Sequence, residues 1–452
     1  MPVSPARSLA FDILLRVERE SAYASELLHS AASENLSVRD HALATELVLG
    51  VERWRSQLDE TIAQASSTPL AKLDLEILVA LRIAVYQLRH LDRVPGRAAI
   101  FESVELVKRA RKRSAVPFVN AVLRRLSAST HPMARDETTP AGLAQAFAHP
   151  PWLVERWAAA DGMTTARRIC EFDQQIPKTA LRLRLQAAEI TLAKQAVTLS
   201  PGALLSSARI VDAGDVTNSE AFVNGEVVIQ DEGSQLVVAL VGASLASASN
   251  DPLRILDCCA APGGKTLALA DRNPAAQVTA VDVHPHRARL LRRLLQQKSS
   301  AARIAVLAAD ATQLPFSFSF DRVLTDVPCS GTGTLARNPE IKWRLDPTDL
   351  ADLQKRQVAI LRSALMQATA GGRVVYSTCS LEQEENEDVI AAALAATNSF
   401  RVLDCREELD RLRTSGELLW QDVDSLCRGP FLRTIPGIHP CDGFFAAVLQ
   451  KV

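Results

Sequence analysis

Two cysteines are the residues of this chain best suited to nucleophilic chemistry. Cys329 lies within residues 325–331, which read TDVPCSG, and Cys379 lies within residues 376–380, which read YSTCS. A free cysteine is most often a buried packing residue, but a thiolate can also attack carbon. Both cysteines follow strand-like stretches and have serine or threonine neighbours, which favours a chemical role. We expect the remaining cysteines to be structural, namely Cys170, Cys258, Cys259, Cys405, Cys427 and Cys441.

A turn rich in small residues precedes these cysteines. Residues 257–266 read DCCAAPGGKT, and residues 260–264 connect a predicted strand to a predicted helix. Small side chains let the backbone approach a ligand, and a helix N-terminus offers free N–H groups. The turn matches neither the GxGxxG fingerprint nor the Walker loop, which lacks its first glycine here. S-adenosylmethionine therefore fits the turn better than NAD, which needs a pyrophosphate loop.

Aspartates follow the next strands of the same predicted sheet. Asp282 ends the second strand, 18 residues after Gly264, and Asp310 follows the third. A doubly wound sheet binds ligands beyond the carboxyl ends of its strands, where an acidic residue can accept hydrogen bonds from ribose hydroxyls. We expect Asp282 to contact the ribose and Asp310 to contact the adenine amine.

A cofactor turn followed by two thiols predicts methylation of a pyrimidine carbon. Carbon 5 of cytosine becomes nucleophilic only after a thiolate adds at carbon 6. Cys329 stands where amino-group methyltransferases place an aromatic residue, which argues against nitrogen methylation. Asp326 could hydrogen-bond the N3 and amino edge of the base. From spacing alone, Cys329 and Cys379 are nucleophile and release partner in either order.

Length and composition bound the class of protein. The chain has 452 residues, which at about 150 residues per domain indicates two or three domains. Its formal net charge is −1, so any nucleic-acid surface must come from local patches. No cysteine pair has CxxC spacing, which argues against zinc, and no apolar stretch has the ~20 residues needed to span a bilayer. We expect a cytoplasmic monomer without metal or membrane partner.

The pattern of apolar residues changes twice along the chain. Residues 1–135 have helical periodicity and predict a bundle, residues 136–235 predict a small α+β domain, and residues 236–452 alternate strand and helix. A linker is expected at 127–151 and a hairpin-like turn at Asn224-Gly225. The last region predicts a largely parallel, doubly wound sheet with strands at 253–258, 277–283, 303–308, 320–326 and 372–376, and a final pair at 401–403 and 443–449.

Two basic or glycine-rich segments allow more than one interpretation, and a third segment is acidic. Basic residues between 108 and 125 form either a solvated helix face or a surface that contacts phosphates. Residues 330–344 contain glycines, basic residues and a tryptophan, which suits a mobile loop closing over a nucleotide or an ordinary surface loop. Residues 382–387 read EQEENE and predict the exposed start of a helix.

Several of these motifs resemble one family. Residues 259–266, 326–333 and 377–380 are similar to motifs of RNA (cytosine-5) methyltransferases, as are the flanking residues 230–235 and 442–445. The first 130 residues resemble the NusB-like RNA-binding domain, notably at 39–51 and 118–126. Together they resemble the RsmB (Sun/Fmu) family of bacterial 16S ribosomal RNA methyltransferases. The implied fold is α/β, a Rossmann-like methyltransferase domain preceded by an all-α NusB-like domain and a small α+β domain.

The resemblance also implies roles for individual residues. Cys379 is the implied nucleophile, and Cys329 is implied to assist product release. The implied cofactor is S-adenosylmethionine, bound by Cys259, Ala260, Ala261, Pro262, Gly263, Gly264, Lys265, Asp282, Asp310 and Asp326. Residues 338–340 read NPE where the family pattern is His-Pro-Asp, residues 309–311 read ADA in place of Gly-Asp-Ala, and residues 183–185 lack an expected asparagine. These departures bear on RNA contacts.

The sequence thus predicts cytosine-5 methylation of 16S ribosomal RNA, free or partly assembled. The same chemistry on transfer RNA is an alternative within the enzymes. An RNA-binding assembly factor with a vestigial methyltransferase domain is a second alternative. It would require degraded motifs, yet both cysteines, Lys265 and the aspartates at the strand ends are present.

Overall fold

The computed structural model describes residues 3–20, 22–30, 36–128, 135–242, 252–298 and 303–452. The chain divides into two compact units. One contains Met1–Ile176 together with Leu335–Leu345, and the other contains Pro177–Thr334 together with Asp346–Val452. The first unit therefore takes in a short segment from the middle of the second unit's sequence.

The first unit is helical throughout its described residues. Apolar residues three and four apart, such as Leu47, Val48 and Val51, bury one face of each long helix. This confirms the helical prediction for the start of the chain. The α-helices are Pro5–Glu20, Ala24–Leu28, Val38–Ala65, Leu75–His90, Gly96–Arg109, Val116–Ala128, Pro140–Ala146, Pro151–Asp161, Met163–Asp173 and Ile341–Arg344, with 3-10 turns at Leu70–Lys72 and Arg113–Ala115.

A glycine sets the spacing of two central helices in this unit. A Cβ atom on Gly50 would lie 2.1 Å from the ring of Tyr86. The helices Val38–Ala65 and Leu75–His90 can therefore approach so closely only because Gly50 has no side chain. The hydroxyl of Tyr86 then reaches the carboxylate of Glu46, to which it donates a hydrogen bond of 2.5 Å.

The second unit contains a small antiparallel sheet. Its strands are β1 (Ala180–Leu183), β2 (Thr198–Pro201), β3 (Ala208–Ala213) and β4 (Val227–Ile229), arranged in the order β2-β3-β1-β4. The prediction of a hairpin at Asn224-Gly225 is wrong, because this turn connects the short helix Glu220–Val223 to β4. Ser219 accepts a hydrogen bond from the backbone N–H of Phe222, which caps that helix locally.

The second sheet of this unit has a parallel centre and, among the described residues, nine strands. Neighbours β9-β8-β5-β6-β7 run parallel, and β13, β12, β11 and β10 add an antiparallel edge. This confirms the predicted α/β class, with more antiparallel strands than expected. These strands are β5 (Arg254–Asp257), β6 (Gln277–Asp282), β7 (Arg303–Ala308), β8 (Phe320–Asp326), β9 (Ala368–Thr378), β10 (Phe400–Leu403), β11 (Cys427–Arg428), β12 (Phe431–Thr434) and β13 (Phe444–Lys451).

Helices connect these strands and cover the sheets. The apolar residues Val323, Leu324, Val374 and Val375 are fully buried in β8 and β9, as expected for central parallel strands covered on both faces. The α-helices of this unit are Ala188–Lys194, Glu220–Val223, Glu232–Val241, Gly264–Arg272, Pro285–Lys298, Asp349–Met366, Glu387–Leu394 and Cys405–Thr414. Its 3-10 turns are Ala311–Gln313, Thr332–Thr334, Gln383–Glu385 and Val423–Leu426.

Two boundaries differ from the sequence-based prediction. The expected linker at 127–151 contains the helix Pro140–Ala146, whose cap residue Thr139 accepts from the N–H of Gly142, while residues 129–134 lie outside the described residues. The predicted start of the last region at residue 236 falls inside the helix Glu232–Val241. The division at 135 and 235 into three domains remains a prediction.

In the described part of the chain, no helix is long and apolar enough to cross a membrane. The same residues contain no group of three or more His, Cys, Asp or Glu side chains arranged to hold a metal ion.

Candidate active site

A cavity of about 330 Å³ opens at the carboxyl ends of the parallel strands in the second unit. Each strand from β5 to β9 contributes residues at or just beyond its carboxyl end, as a doubly wound sheet requires. Both chemically interesting cysteines line the cavity. The lining residues are Cys258, Cys259, Ala261, Asp282, Val283, His284, Arg287, Asp310, Ala311, Asp326, Val327, Pro328, Cys329, Arg356, Ile360 and Cys379.

The small-residue turn after β5 is stabilised by a glycine conformation and by a buried aspartate. Gly263 has a φ of 114°, a conformation that favours glycine, and the helix Gly264–Arg272 begins directly after it. The buried carboxylate of Asp257 accepts a hydrogen bond of 2.7 Å from the hydroxyl of Thr266. Burial raises the pKa of Asp257 to about 7. Asp257 therefore supports the turn and does not line the cavity.

Only part of the predicted cofactor loop faces the cavity. Cys259 and Ala261 line it, whereas Ala260, Pro262, Gly263, Gly264 and Lys265 are not among its described lining residues. The side chain of Lys265 points to Asp326 and not into the cavity.

Four of the expected structural cysteines are buried, and Cys427 and Cys259 are half-buried.

Two predicted ligand aspartates line the cavity at the ends of β6 and β7. Asp282 accepts a hydrogen bond of 2.8 Å from the N–H of His284, which orients its carboxylate. Asp310 accepts a bond of 2.9 Å from the N–H of Thr312, and hydrogen bonds from Thr312 lower the pKa of Asp310. Carboxylates at these positions can accept from ribose hydroxyls and an adenine amine. The cavity therefore fits the nucleoside part of S-adenosylmethionine.

Asp326 is oriented by two donors at the end of β8. Its Oδ2 accepts from the ammonium of Lys265 at 2.8 Å, and its Oδ1 accepts from the hydroxyl of Ser377 at 2.8 Å. Burial lowers the pKa of Lys265, but the charge and hydrogen bond of Asp326, with smaller contributions from Cys379 and Asp257, together outweigh burial and raise the pKa overall. Lys265 is thus a stable cation, and it also interacts electrostatically with Cys379.

The sulfur atoms of Cys329 and Cys379 lie 3.3 Å apart. Asp326 pairs with Ser377 in the register of β8 and β9, so the residues that follow these two strands leave the sheet side by side. The hydrogen bond with Cys379, together with burial, raises the pKa of the Cys329 thiol well above its usual range. The sequence predicted that these cysteines share one edge of the sheet, and the structure brings them into contact.

Backbone contacts also join the two cysteine loops. The N–H of Gly333 donates to the carbonyl of Cys379 at 2.9 Å, and the N–H of Gly443 donates to the carbonyl of Gly333 at 2.7 Å. A Cβ atom on Gly333 would lie 2.2 Å from the carbonyl oxygen of Gly443. The glycines at 333 and 443 therefore allow three chain segments to meet beside Cys379.

The acidic segment after Cys379 is not the exposed helix start that the sequence predicted. Glu385 is fully buried, and Glu382 and Asn386 are buried as well. The carboxylate of Glu385 accepts from the backbone N–H of Ser330 at 2.8 Å. The composition EQEENE is typical of an exposed helix N-terminus. The N–H group that pairs with the buried Glu385 belongs to Ser330, 55 residues earlier in sequence, so the local pattern gives no sign of it.

Three basic residues of the cavity were missed by sequence reasoning. Arg356 lies on the helix Asp349–Met366, and His284 and Arg287 lie at the start of the helix Pro285–Lys298. Each sits in an ordinary amphipathic pattern that gives no local signal of a ligand. The only usable hint is that both helices follow strands whose carboxyl ends face the cavity.

The glycine-rich segment after Cys329 is not a free loop over its whole length. Residues 335–345 belong to the helical unit, where Lys342 is fully buried. The indole N–H of Trp343 donates to the carbonyl of Glu52. Glu340, one of the departures from the family pattern, accepts from the N–H of Ala24 at 3.0 Å. The prediction of a mobile loop is therefore wrong for this segment.

Two family descriptions match the chain. The family described as 16S rRNA methyltransferase RsmB/F matches residues 243–450, and the NusB family matches residues 4–128. The first match covers the large sheet and its cavity, and the second covers most of the helical unit.

Two relatives align with the chain over nearly its full length. The chain is 32% identical over 468 aligned residues to the probable ribosomal RNA small subunit methyltransferase B of Bacillus subtilis, with 100% of both chains covered. It is 30% identical to ribosomal RNA small subunit methyltransferase B of Shewanella oneidensis, covering 98% of this chain and 99% of that one.

A solved structure shows the same fold over the entire length. The crystal structure of PH0851 superposes with a TM-score of 0.80 at 21% identity, covering 100% of both chains. The family and the donor set of the cavity together confirm the predicted cofactor, S-adenosylmethionine. The chain belongs to the ribosomal RNA small subunit methyltransferase B family, whose members are RNA methyltransferases.

Proposed function

We propose that this chain methylates carbon 5 of one specific cytidine in 16S ribosomal RNA through a covalent bond between Cys379 and the pyrimidine ring. The observation that carries the proposal is the contact between the sulfur atoms of Cys379 and Cys329, 3.3 Å apart in the wall of the cavity. Methylation of an amino group or a ribose hydroxyl has no use for two thiols. Methylation of carbon 5 does, since a thiol must add to the ring and later leave it.

Lys265 supports Cys379 as the attacking sulfur. Its ammonium interacts electrostatically with Cys379. The hydrogen bond with Cys379 and burial raise the pKa of the Cys329 thiol. Addition by Cys379 and assistance of product release by Cys329 agree with these surroundings.

Asp326 is suited to hold the base during the addition. Its two oxygens are oriented by Lys265 and Ser377, and its side chain lines the same cavity as both sulfurs. As the Cys379 sulfur adds to carbon 6, N3 takes the proton that the thiol gives up, and a preorganised carboxylate can accept hydrogen bonds from this N3–H and from the amino group of cytosine. When bound, S-adenosylmethionine supplies the electrophilic methyl group. The carbon-5 proton then passes to solvent, the electrons of its bond restore the double bond between carbons 5 and 6, and Cys379 leaves carbon 6 and takes back the proton from N3.

The identity of the RNA rests on the relatives and not on the cavity. Two relatives that span the whole chain are named as ribosomal RNA small subunit methyltransferase B. Transfer RNA is the second candidate substrate, and a non-catalytic assembly factor is the third. The intact pair of cysteines and the Lys265–Asp326 ion pair argue against the third. A cytoplasmic location and a monomeric state remain predictions.

One incubation tests this proposal. Purified protein is mixed with methyl-labelled S-adenosylmethionine and unmodified 16S RNA, with transfer RNA in parallel, and 5-methylcytosine is mapped. One labelled cytosine in 16S RNA is the expected result. Label in transfer RNA alone would keep the chemistry and change the substrate, and label on another atom of the base would reject the thiol mechanism.

A further inference from the structure

Glu385 lies behind both cysteine loops and is completely buried. Its Oε1 accepts from the backbone N–H of Ser330 at 2.8 Å and from the amide of Gln357 at 2.9 Å. Its Oε2 accepts from the hydroxyls of Ser330 and Ser380, the latter at 2.5 Å. Ser330 directly follows Cys329 and Ser380 directly follows Cys379, so one carboxylate binds the neighbour of each reactive cysteine.

The carboxylate suits this position better than any other side chain. It faces four donors and presents only acceptors, and hydrogen bonds to a charged acceptor are short and strong. A glutamine amide has nearly the same shape, but its NH₂ group would face one or more of these donors. Replacing Glu385 by Gln therefore changes the hydrogen bonds to Ser330 and Ser380 with little change in volume.

Glu385 is itself held on several sides. Its backbone carbonyl accepts from the hydroxyl of Tyr376 at 2.6 Å. The neighbouring Asn386 donates to the carbonyl of Ser380 at 2.9 Å and accepts from Thr378 at 2.6 Å. The position of the carboxylate is thus fixed relative to β9, which ends at Thr378 just before Cys379.

We propose that Glu385 is a positioning residue that sets the separation of the Cys329 and Cys379 sulfurs by tying Ser330 to Ser380. Glu385 is absent from the described lining of the cavity, so it acts through the two loops and not on the substrate. Its importance for methylation rests on the proposed function. Its effect on the geometry of the two sulfurs does not.

The test measures the thiol pair without any RNA. The folded protein is treated with limiting diamide, which takes up two hydrogens as two thiols join in a disulfide, and the Cys329–Cys379 bond is quantified by peptide mapping. The cross-linking rate is divided by the rates at which iodoacetamide alkylates each thiol, which corrects for changes in ionisation. The variants are Glu385→Gln, Glu385→Asp and, as matched control one residue away, Glu384→Gln.

We expect wild type and Glu384→Gln to cross-link at equal normalised rates and Glu385→Gln to cross-link at least tenfold more slowly. Glu385→Asp keeps the carboxylate but is one methylene shorter, and its cross-linking rate should lie between those of wild type and Glu385→Gln. A misplacement of about 1 Å costs on the order of 100-fold in rate, so kcat for methylation should fall at least tenfold in Glu385→Gln. The affinity for S-adenosylmethionine, measured by calorimetry, should stay within about twofold, because the cavity lining is unchanged.

The outcomes separate this proposal from the proposed function. Normalised cross-linking at the wild-type rate in both Glu385→Gln and Glu385→Asp would overturn the positioning role, whatever happens to methylation. Slow cross-linking in a protein whose wild-type form labels no cytosine at carbon 5 would keep the positioning role and reject the function. If Glu385→Gln does not fold, Glu385→Asp decides alone, and a wild-type rate in that variant would overturn the role.

Discussion

The ammonium of Lys342 donates a hydrogen bond of 3.0 Å to the backbone carbonyl of Arg53, which is 289 residues earlier in the chain. Lys342 lies only 13 residues after Cys329, yet it is buried among helices of the first unit. The guanidinium of Arg53 in turn donates to the carbonyl of Ala336. The segment that follows the Cys329 loop is therefore an integral part of the helical unit, and removing the first 130 residues would strip it of its partners.

Lys342 should make the stability of the helical unit depend on pH. Burial, partly offset by the attraction of Asp173, lowers the pKa of Lys342 to about 7, so the folded state holds its proton less tightly than the unfolded chain. Between about pH 7 and pH 10 the unfolded chain binds more protons at Lys342 than the folded protein does. The contribution of Lys342 to the free energy of unfolding therefore rises with pH. Lys342→Met should therefore stabilise the unit by about 1–4 kcal/mol near pH 7, with a smaller gain near pH 10.

Urea unfolding followed by tryptophan fluorescence measures this effect. Four of the five tryptophans lie in the helical unit, at positions 54, 152, 157 and 343, and only Trp420 lies in the other unit. Lys355→Met is the control, because Lys355 is exposed and should change stability little at either pH. Equal stability of Lys342→Met and wild type at both pH values would show that the contacts of the buried ammonium fully offset the cost of removing it from water.

The sequence predicted those features that depend on local pattern. Helical periodicity placed the bundle, and runs of apolar residues placed the parallel strands, because each reflects burial of one face or of both. Chain order then put Asp282, Asp326, Cys329 and Cys379 at one edge of the sheet. What the pattern missed depends on distant partners: the buried Glu385 accepts from Ser330 and Gln357, which lie 55 and 28 residues earlier in the chain.

The same limit explains the segment around Lys342. Glycines, basic residues and Trp343 are typical of an exposed loop, and nothing in their spacing indicates that the helical unit surrounds them. Buried Lys342 is the opposite of what its residue type predicts. Lys342 donates to the carbonyl of Arg53 and Trp343 to the carbonyl of Glu52, nearly 300 residues earlier in sequence, and such distant contacts leave no local signal.

Cys379→Ala should abolish methylation and leave cofactor binding intact. If Cys379 supplies the attacking sulfur, its loss removes the only route to a nucleophilic carbon 5, and turnover should fall on the order of 1000-fold or more. Methyl transfer to 16S RNA and calorimetric binding of S-adenosylmethionine are the two measurements. Cys427→Ala is the matched control, since Cys427 lies in β11 and outside the described lining of the cavity. Turnover at the wild-type rate in Cys379→Ala would reject the assigned role.

Cys329→Ala should trap the RNA on the enzyme. If Cys329 assists the release of Cys379 from carbon 6, its removal leaves a covalent complex that survives a denaturing gel. The double variant Cys329→Ala with Cys379→Ala should form no such complex, which identifies the sulfur in the bond. Absence of a complex in the single variant, with methylated RNA released at the normal rate, would count against a role of Cys329 in release.

Three arginines of the basic cluster are the best candidates for contact with RNA phosphates. Lys108, Lys112 and Arg109 form ion pairs with acidic residues of the helical unit, which leaves them less able to bind phosphate. The remaining arginines are exposed, and no ion pair joins them to a described residue. Arg125 donates to the carbonyl of Ala65, which leaves Arg111, Arg113 and Arg124 as the candidates.

Replacing Arg111, Arg113 and Arg124 together by glutamine should weaken binding to 16S RNA and leave the affinity for S-adenosylmethionine unchanged. Each lost phosphate contact lowers the slope of log affinity against log salt by about 0.7–0.9, so the triple variant should lose about two units of slope. Filter binding over a series of salt concentrations measures it, with Lys108→Gln plus Lys112→Gln as the control. Unlike a truncation, these substitutions leave the contacts of Lys342 and Trp343 intact. An unchanged slope in the triple variant would mean that this cluster is a solvated helix face.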